Sequence, residues 1–260
     1  MRLLVSGGCG FLGSNFVRRL AAAGEDAVVL DRLTDFGNLA RLEGIPHEFV
    51  QGDVADAVTA TGAADGCQAI VNFAAETNLD ASALASGGFI VTDAFGTHVL
   101  LEFARVAGIR FLQVSTSEAD RASTPAAASK AGADLQVLAY AQAHGVNASI
   151  VRGPSAYGPF QHPAADPAAA IVRALAEDTA PPGSLEGAWI HADDHSAAVE
   201  RILGEGEPGQ VYRLTDEHLR TAHDQGLAET VEWYRSRRDW WEPLLAARPG
   251  FEEQYARRDA

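Results

Sequence analysis

Cysteine is almost missing from this 260-residue sequence: only Cys9 and Cys67 occur, with neither a paired framework nor metal-ligand spacing. A structural disulfide or a zinc site therefore has little support. Positive charge is scarce as well. Twenty Lys and Arg stand against thirty-five Asp and Glu, a net charge of −15 at pH 7. A surface that acidic repels phosphate backbones and anionic lipids, which makes nucleic acid and membranes poor partners. No apolar run reaches the roughly 18 residues that span a bilayer, and Met1-Arg2-Leu3-Leu4 leads into strand-like sequence instead of a signal peptide. A cytoplasmic protein is expected. There is no internal repeat, and Gly-x-Ser-x-Gly, His-Glu-x-x-His and phosphate-loop lysine motifs are absent.

What is present suits one sizeable α/β domain, or a domain with a small lobe. Hydrophobic residues make up 47% and charged residues 21%, close to globular averages, so a core can form. Apolar strand-like runs at 3–6, 27–30, 48–51, 69–73, 111–115 and 149–152 alternate with helix candidates at 11–23, 88–107 and 127–143. Such alternation implies a parallel sheet with helices on both faces. Gly24, Gly108 and Gly145 supply the left-handed stops that helix ends favour. Beyond Arg152, prolines 154, 159, 163, 167, 181 and 182 punctuate the chain, with helix-like stretches at 167–177, 194–203 and 226–237. Two regions are expected, 1–152 and a small lobe at 153–260 with segments able to return to the sheet.

The segment Leu3-Leu4-Val5-Ser6-Gly7-Gly8-Cys9-Gly10-Phe11-Leu12-Gly13-Ser14 sets glycines between a strand and a helix. Gly7 permits the tight turn. Gly10, with Phe11 and Leu12 at the helix start, lets backbone N–H groups approach a pyrophosphate, and Gly13 allows close helix–strand packing. Asp31 ends the second strand eighteen residues later, where a carboxylate accepts hydrogen bonds from the adenosine ribose. That favours NAD over NADP, although the neighbouring Arg32 is a residue type able to neutralise an extra phosphate. The region reads as a Rossmann-like doubly wound parallel sheet followed by a small, truncated C-terminal lobe. Cys9 reads as a small filler in the loop.

With Leu33-Thr34-Asp35-Phe36-Gly37-Asn38-Leu39, this loop resembles the extended short-chain dehydrogenase/reductase family (NAD-dependent epimerases/dehydratases), and within it the dTDP-glucose 4,6-dehydratases. Gly52-Asp53-Val54 resembles the segment that meets adenine. Asn72-Phe73-Ala74-Ala75-Glu76-Thr77 resembles the strand end that contacts the cofactor, and Gly96-Thr97-His98-Val99-Leu100-Leu101-Glu102 a helix of the dimer interface. Val114-Ser115-Thr116-Ser117-Glu118, Ala128-Ser129-Lys130, Tyr157-Gly158-Pro159 and Asp194-His195 resemble active-site and second-lobe signatures, and Glu229-Thr230-Val231-Glu232-Trp233-Tyr234 the last helix. The resemblance thus implies cofactor contacts from Gly7, Gly10, Phe11, Leu12, Gly13, Asp31, Arg32, Asn38, Asp53, Val54, Phe73, Ala74, Ala75 and Lys130, and a homodimer.

In such dehydratases, as the resemblance implies, NAD⁺ oxidises the sugar at C4, a Glu removes the C5 proton, an Asp protonates the leaving C6 hydroxyl, and hydride returns to C6. A Tyr four residues before a Lys takes the C4 hydroxyl proton, helped by a Thr, and the Lys also holds the nicotinamide ribose. Here Thr116 and Lys130 remain, but Ala126 stands where the Tyr belongs and the Asp-Glu pair has become Ser117-Glu118. Glu118 and Lys130 are only twelve positions apart, where the family carries a longer loop over the sugar site, and a second shortening follows Leu214 through Asp216-Glu217-His218-Leu219. The cations expected around a sugar diphosphate are replaced at Gly187-Ala188-Trp189 and Gln161-His162-Pro163.

The expected activity is therefore altered chemistry on a sugar-like metabolite: elimination or epimerisation beside a carbonyl, in deoxysugar or natural-product biosynthesis. Glu118 is the candidate base, Thr116 and Ser117 are hydrogen-bond donors, and Lys130 orients the ribose. Alternatives are a catalytically inactive NAD-binding relative and a redox enzyme on a different, uncharged substrate. Tyr157 is a candidate phenol, but its loop position better suits a buried anchor. His191-Ala192-Asp193-Asp194-His195 invites a metal reading, against which Asp193 or Asp194 reads as a helix cap. Trp233, Tyr234, Trp240 and Trp241 read as a hydrophobic anchor.

Overall fold

The computed structural model describes residues 1–34, 37–76, 87–218 and 221–246. Asp35, Phe36, Thr77 and Leu219 of the motifs above lie outside the described residues. Short aliphatic runs form β1 (Arg2–Ser6), β2 (Asp26–Asp31), β3 (Glu48–Gln51), β4 (Ala69–Asn72), β5 (Arg110–Thr116) and β6 (Ala148–Gly153). After β7 (Ser155–Tyr157) and β8 (Trp189–His191), which pair with each other, β9 (Val211–Arg213) joins β6. The seven-stranded sheet runs β3-β2-β1-β4-β5-β6-β9 and is parallel throughout. Leu3, Leu4, Val5, Val28, Val29, Leu30, Ile70 and Val71 are fully buried, as strands covered on both faces must be.

Helices α1 (Phe11–Ala22), α2 (Ala57–Ala64), α3 (Gly96–Ala107) and α4 (Pro125–His144) connect these strands. Gly108 and Gly145 end α3 and α4 in the left-handed region, at φ 67° and 66°. The stretch read as one helix over 88–107 is interrupted: a helical turn at Gly87–Phe89 widens into a π-helical turn, Ile90–Phe95, before α3. Helix α4 starts at Pro125, two residues earlier than its apolar periodicity suggests. Thr124 Oγ1 accepts the Ala127 N–H at 3.1 Å, and proline suits a first turn, where no N–H is needed.

The chain forms two compact units, Met1–Pro154 with Asp193–His218, and Ser155–Ala192 with the described part of Leu219–Ala260. In the first unit, Leu4, Leu30, Ile70, Leu100, Phe111, Val137 and Ile150 belong to one core. Asp193 and Asp194 fall inside the first turn of α6 (Ala192–Glu205) instead of before it; α5 (Ala168–Ala176) belongs to the second unit. There α7 (His223–Ser236) and α8 (Arg238–Ala246) place Tyr234, Trp240 and Trp241 in a core with Tyr157 and Ile171. Trp233 packs against Phe160 at 4.7 Å and edge-on against Trp240 at 5.1 Å, so these aromatics serve their own unit's core.

Candidate active and cofactor site

The strand order reverses between β1 and β4, the position at which open sheets of this kind take ligands. The glycine loop leaves β1 there. Gly7 has φ 70°, and a Cβ on it would lie 2.7 Å from Ala74 N; a Cβ on Gly13 would lie 2.2 Å from Gly7 O. Neither position accepts a side chain. At Gly10 such a Cβ meets, among the described residues beyond its chain neighbours, only Gly7 O within 4 Å, at 3.1 Å. Gly10 is also the N-cap of α1, which has no side-chain cap and no acid in its first turn. The N–H groups of Phe11, Leu12 and Gly13 thus open a helix whose first turn carries no acid, and this cradle fits a pyrophosphate. The Cys9 thiol is fully buried and pushed up to about 12, first by burial and then by the Asp31 charge, so it is no nucleophile.

Asp31, at the end of β2, accepts the Cys9 N–H at 2.9 Å and the Leu33 N–H at 2.8 Å. A carboxylate offers about four acceptor positions, which leaves room for ribose hydroxyls. Arg32 donates to Asp53 Oδ2 at 2.9 Å and to Glu76 Oε2 at 2.5 Å. Burial works against this guanidinium's charge, but the hydrogen bonds and charges of Asp53 and Glu76 outweigh it and raise its pKa. Asp53 also accepts the Ala55 N–H at 2.9 Å, and Val54 fills the space a Gly96 Cβ would need, 2.4 Å away. The Asn38 N–H donates to Cys9 O at 3.0 Å while its side chain caps Ala40. Beyond β4, the Phe73 N–H donates to Ser6 O at 2.9 Å and the Ala74 N–H to Asn72 Oδ1 at 3.2 Å, which sets the path of Phe73, Ala74 and Ala75. Asn72 itself is held by Ser6, Thr97 and Gln113 in a buried network.

Thr116 ends β5, and its Oγ1 accepts the Glu118 N–H at 3.3 Å, opening a 3₁₀ turn over Ser117–Asp120. Ser117 and Glu118 are exposed on this turn, against which α4 packs. Asp120 anchors it, accepting from Arg213 Nη2 at 2.8 Å and from Arg152. Ala126 and Lys130 share one face of α4, a single turn apart. Lys130 Nζ stands 4.0 Å from Asp93 Oδ1, and its side chain is 16% exposed. Burial raises the Asp93 pKa against the opposing pull of the Lys130 charge. Tyr157 lies in the other unit, fully buried; its ring meets His191 edge-on at 5.3 Å and its hydroxyl donates to His223 O at 3.3 Å. It is a buried core anchor at the end of β7. Among the described residues no group of three or more His, Cys, Asp or Glu gathers around a cation position. His195 is wholly buried, which lowers its pKa to about 4, and its ring lies 6.4 Å from that of Phe73.

Some residues escape a reading by motif. Arg41, fully buried, donates to Cys9 O at 3.0 Å and so braces the glycine loop. Asp93, Asp120, Asp134 and Arg152 find their partners on other elements, so local spacing carries no sign of them. One signal was available: of the twenty Lys and Arg in the chain, Lys130 is the only lysine. A sequence that uses Arg everywhere else keeps a primary amine at this one position.

The model of the NAD dependent epimerase/dehydratase family matches residues 3–215. A dTDP-glucose 4,6-dehydratase of Streptomyces niveus is 33% identical, with 94% of this chain and 96% of that protein covered. The low-salt glycan biosynthesis protein Agl12 of Haloferax volcanii is 39% identical over 82% of this chain and 76% of its own length. Among solved structures, DesIV, a dTDP-glucose 4,6-dehydratase of Streptomyces venezuelae with NAD bound, superposes with a TM-score of 0.82 at 33% identity, covering 94% of this chain and all of that one (100%). Its likeness and the family match agree with the parallel sheet and the glycine loop, and the chain belongs to the NAD dependent epimerase/dehydratase family.

Proposed function

We propose that this chain is an NAD-binding enzyme that modifies a sugar or sugar-derived metabolite by proton transfer at a carbon beside a carbonyl, giving elimination or epimerisation, in deoxysugar or natural-product biosynthesis. The dehydratase and glycan-biosynthesis relatives support a nucleotide-linked sugar as substrate class. The observation that carries the altered chemistry is on α4: one turn before Lys130 stands the methyl of Ala126, while the Thr116 hydroxyl ends β5 and the Ser117 hydroxyl and Glu118 carboxylate follow it.

Gly7, Gly10, Phe11, Leu12 and Gly13 hold the pyrophosphate; Asp31 the adenosine ribose; Asp53 and Val54, together with Arg32 and Asn38, the adenine end. Phe73, Ala74 and Ala75 border the dinucleotide beyond β4, and Lys130 holds the nicotinamide ribose. When bound, NAD supplies a hydride acceptor and, in its reduced form, a hydride donor. Thr116 and Ser117 hydrogen-bond the substrate's carbonyl oxygen, and Glu118 takes the proton from the adjacent carbon. The carboxylic acid so formed returns that proton to the carbon or to a departing hydroxyl, since a serine hydroxyl is far too weak an acid to supply it. The enzyme works as a cytoplasmic homodimer: Phe95 and Leu135, on the π-helical turn and α4, are 51% and 66% exposed and support an interface between copies.

The test identifies nucleotide released on denaturation, then incubates the protein in deuterium oxide with dTDP-glucose and, separately, with a nucleotide-linked 4-keto sugar. Deuterium entering beside the carbonyl, and not with Glu118→Gln, supports the proposal. Conversion of dTDP-glucose to its 4-keto-6-deoxy product overturns the altered chemistry. The exposure of Glu118 favours one second reading, a non-catalytic relative that keeps NAD for folding or regulation; its signature is bound NAD with no exchange on the keto sugar.

A further inference from the structure

We infer that Asp93 is a positioning residue for Lys130: its carboxylate, carried on the π-helical turn, is the fixed counter-charge that directs the chain's single ammonium where no phenol stands at position 126. The inference rests on the reading above that Lys130 holds the dinucleotide.

The geometry is specific. A π-helical turn carries an extra residue relative to an α-helical one, and such turns recur at functional sites. Here its two ends are tied to α4. Ser129 Oγ donates to Phe89 O at 2.7 Å, and Gln136 Nε2 donates to Ala94 O at 3.0 Å. Between these ties Asp93 points inward, 1% exposed, with Lys130 Nζ 4.0 Å from its Oδ1. The same oxygen accepts the Glu76 N–H at 2.9 Å, so one carboxylate joins the segment after β4 to the helix that carries Lys130. Its Oδ2 is buried without a hydrogen-bond partner among the described residues. A buried carboxylate left half-satisfied costs stability, and an oriented neighbouring cation offsets that cost. The charged groups around the pair are Glu76, held by Arg32, on the β4 side, and Asp134 on α4. Asp134 accepts from Ser115 and Arg152 through Oδ2 and acts on Lys130 only from beyond ion-pair distance, so Asp93 is the carboxylate within that distance of Lys130 among the described residues.

Because Lys130 is the only lysine, protein grown with ¹⁵N-lysine carries one labelled ammonium. The expected result is a single Nζ–H cross-peak, protected from solvent exchange in the wild type, lost in Asp93→Asn and regained in Asp93→Glu. NADH affinity, read from nicotinamide fluorescence, is expected to fall about tenfold in Asp93→Asn and to recover in Asp93→Glu. Far-UV circular dichroism reports whether each variant is folded. If Asp93→Asn unfolds, Asp93→Glu serves alone: with the cross-peak kept and NADH binding intact it supports the inference, and with both lost while folded it overturns it. A cross-peak or an NADH affinity unchanged in folded Asp93→Asn also overturns it. If Lys130→Met itself binds NADH as the wild type does, the reading of Lys130 falls and the role of Asp93 falls with it. If Lys130→Met weakens binding and Asp93→Asn does not, only the inference about Asp93 fails.

Discussion

Arg152 donates from Nε to Asp134 Oδ2 at 2.8 Å, joining the C-terminal end of β6 to the buried face of α4. The same carboxylate oxygen accepts from Ser115 Oγ at 2.9 Å, and the far side of the guanidinium reaches Asp120 on the turn that carries Glu118. The pair therefore fixes the helix of Lys130 and the turn of Glu118 to one strand. Burial raises the Asp134 pKa in spite of these partners, so the ion pair sits at a cost. Asp134→Leu leaves Arg152 without its buried partner and is expected to lower stability by about 3–5 kcal/mol, whereas Asp134→Leu combined with Arg152→Leu loses less than the two single losses together. Urea unfolding of the four proteins measures the coupling.

Gly10→Ala separates folding from cofactor binding. Among the described residues beyond its chain neighbours the new Cβ meets only Gly7 O, at 3.1 Å, but it enters the cradle proposed for the pyrophosphate. NADH affinity is expected to fall at least about tenfold while the melting temperature moves by only a few degrees. Gly13→Ala, with its Cβ 2.2 Å from Gly7 O, loses both. Fluorescence titration and thermal melting on the two variants check the contrast.

Arg32 is the residue that a 2′-phosphate would seek, yet Asp53 and Glu76 both hold it. Glu76→Gln is expected to shift the NADH-to-NADPH affinity ratio toward NADPH by about tenfold. Adding Arg32→Ala to that variant removes the gain. A gain that survives without Arg32 would point to general acid repulsion and not to a released guanidinium.

His195 makes stability depend on pH. Its folded pKa is lowered to about 4 by complete burial, below the ordinary value of about 6.5 in an unfolded chain. Between these values the unfolded state binds the proton and the folded state does not. Stability is thus fully present above about pH 6.5, declines as pH falls toward about 4, and levels off below, a total of about 3 kcal/mol. His195→Phe is expected to flatten that part of the pH profile. Denaturant midpoints at half-unit pH steps would reveal an unchanged slope if another group were responsible.

Phe95→Glu with Leu135→Glu tests the homodimer. The two exposed apolar positions become charged, so wild-type protein is expected to sediment as a dimer and the double variant as a monomer that retains NADH binding. A monomeric wild type would remove the proposal.

Much of the fold was legible in the sequence. Strands 1 to 6 and the first helix lie within two residues of their apolar runs, because a buried parallel strand is a short local signal. The interruption at Ile90–Phe95 was not, since a π-helical turn keeps the composition of the helix around it. The short β9 was missed for a different reason: Val211–Arg213 is a strand only because β6 offers it an edge to pair with.

At the site, adjacency brought Thr116, Ser117 and Glu118 together, and helical periodicity put Ala126 and Lys130 on one face. What holds them could not be read so. Asp120 meets Arg213 across 93 positions and Arg32 meets Glu76 across 44. The sequence alone determined the order of strands 1 to 6, the glycine cradle and the alanine one helical turn before Lys130, because each depends on residues a few positions apart. Only the tertiary structure decided which carboxylates hold Arg32, Lys130 and Arg152, and that Tyr157 is core. Ion pairs and burial depend on where the sheet and helices bring distant segments together, and no local spacing encodes that meeting.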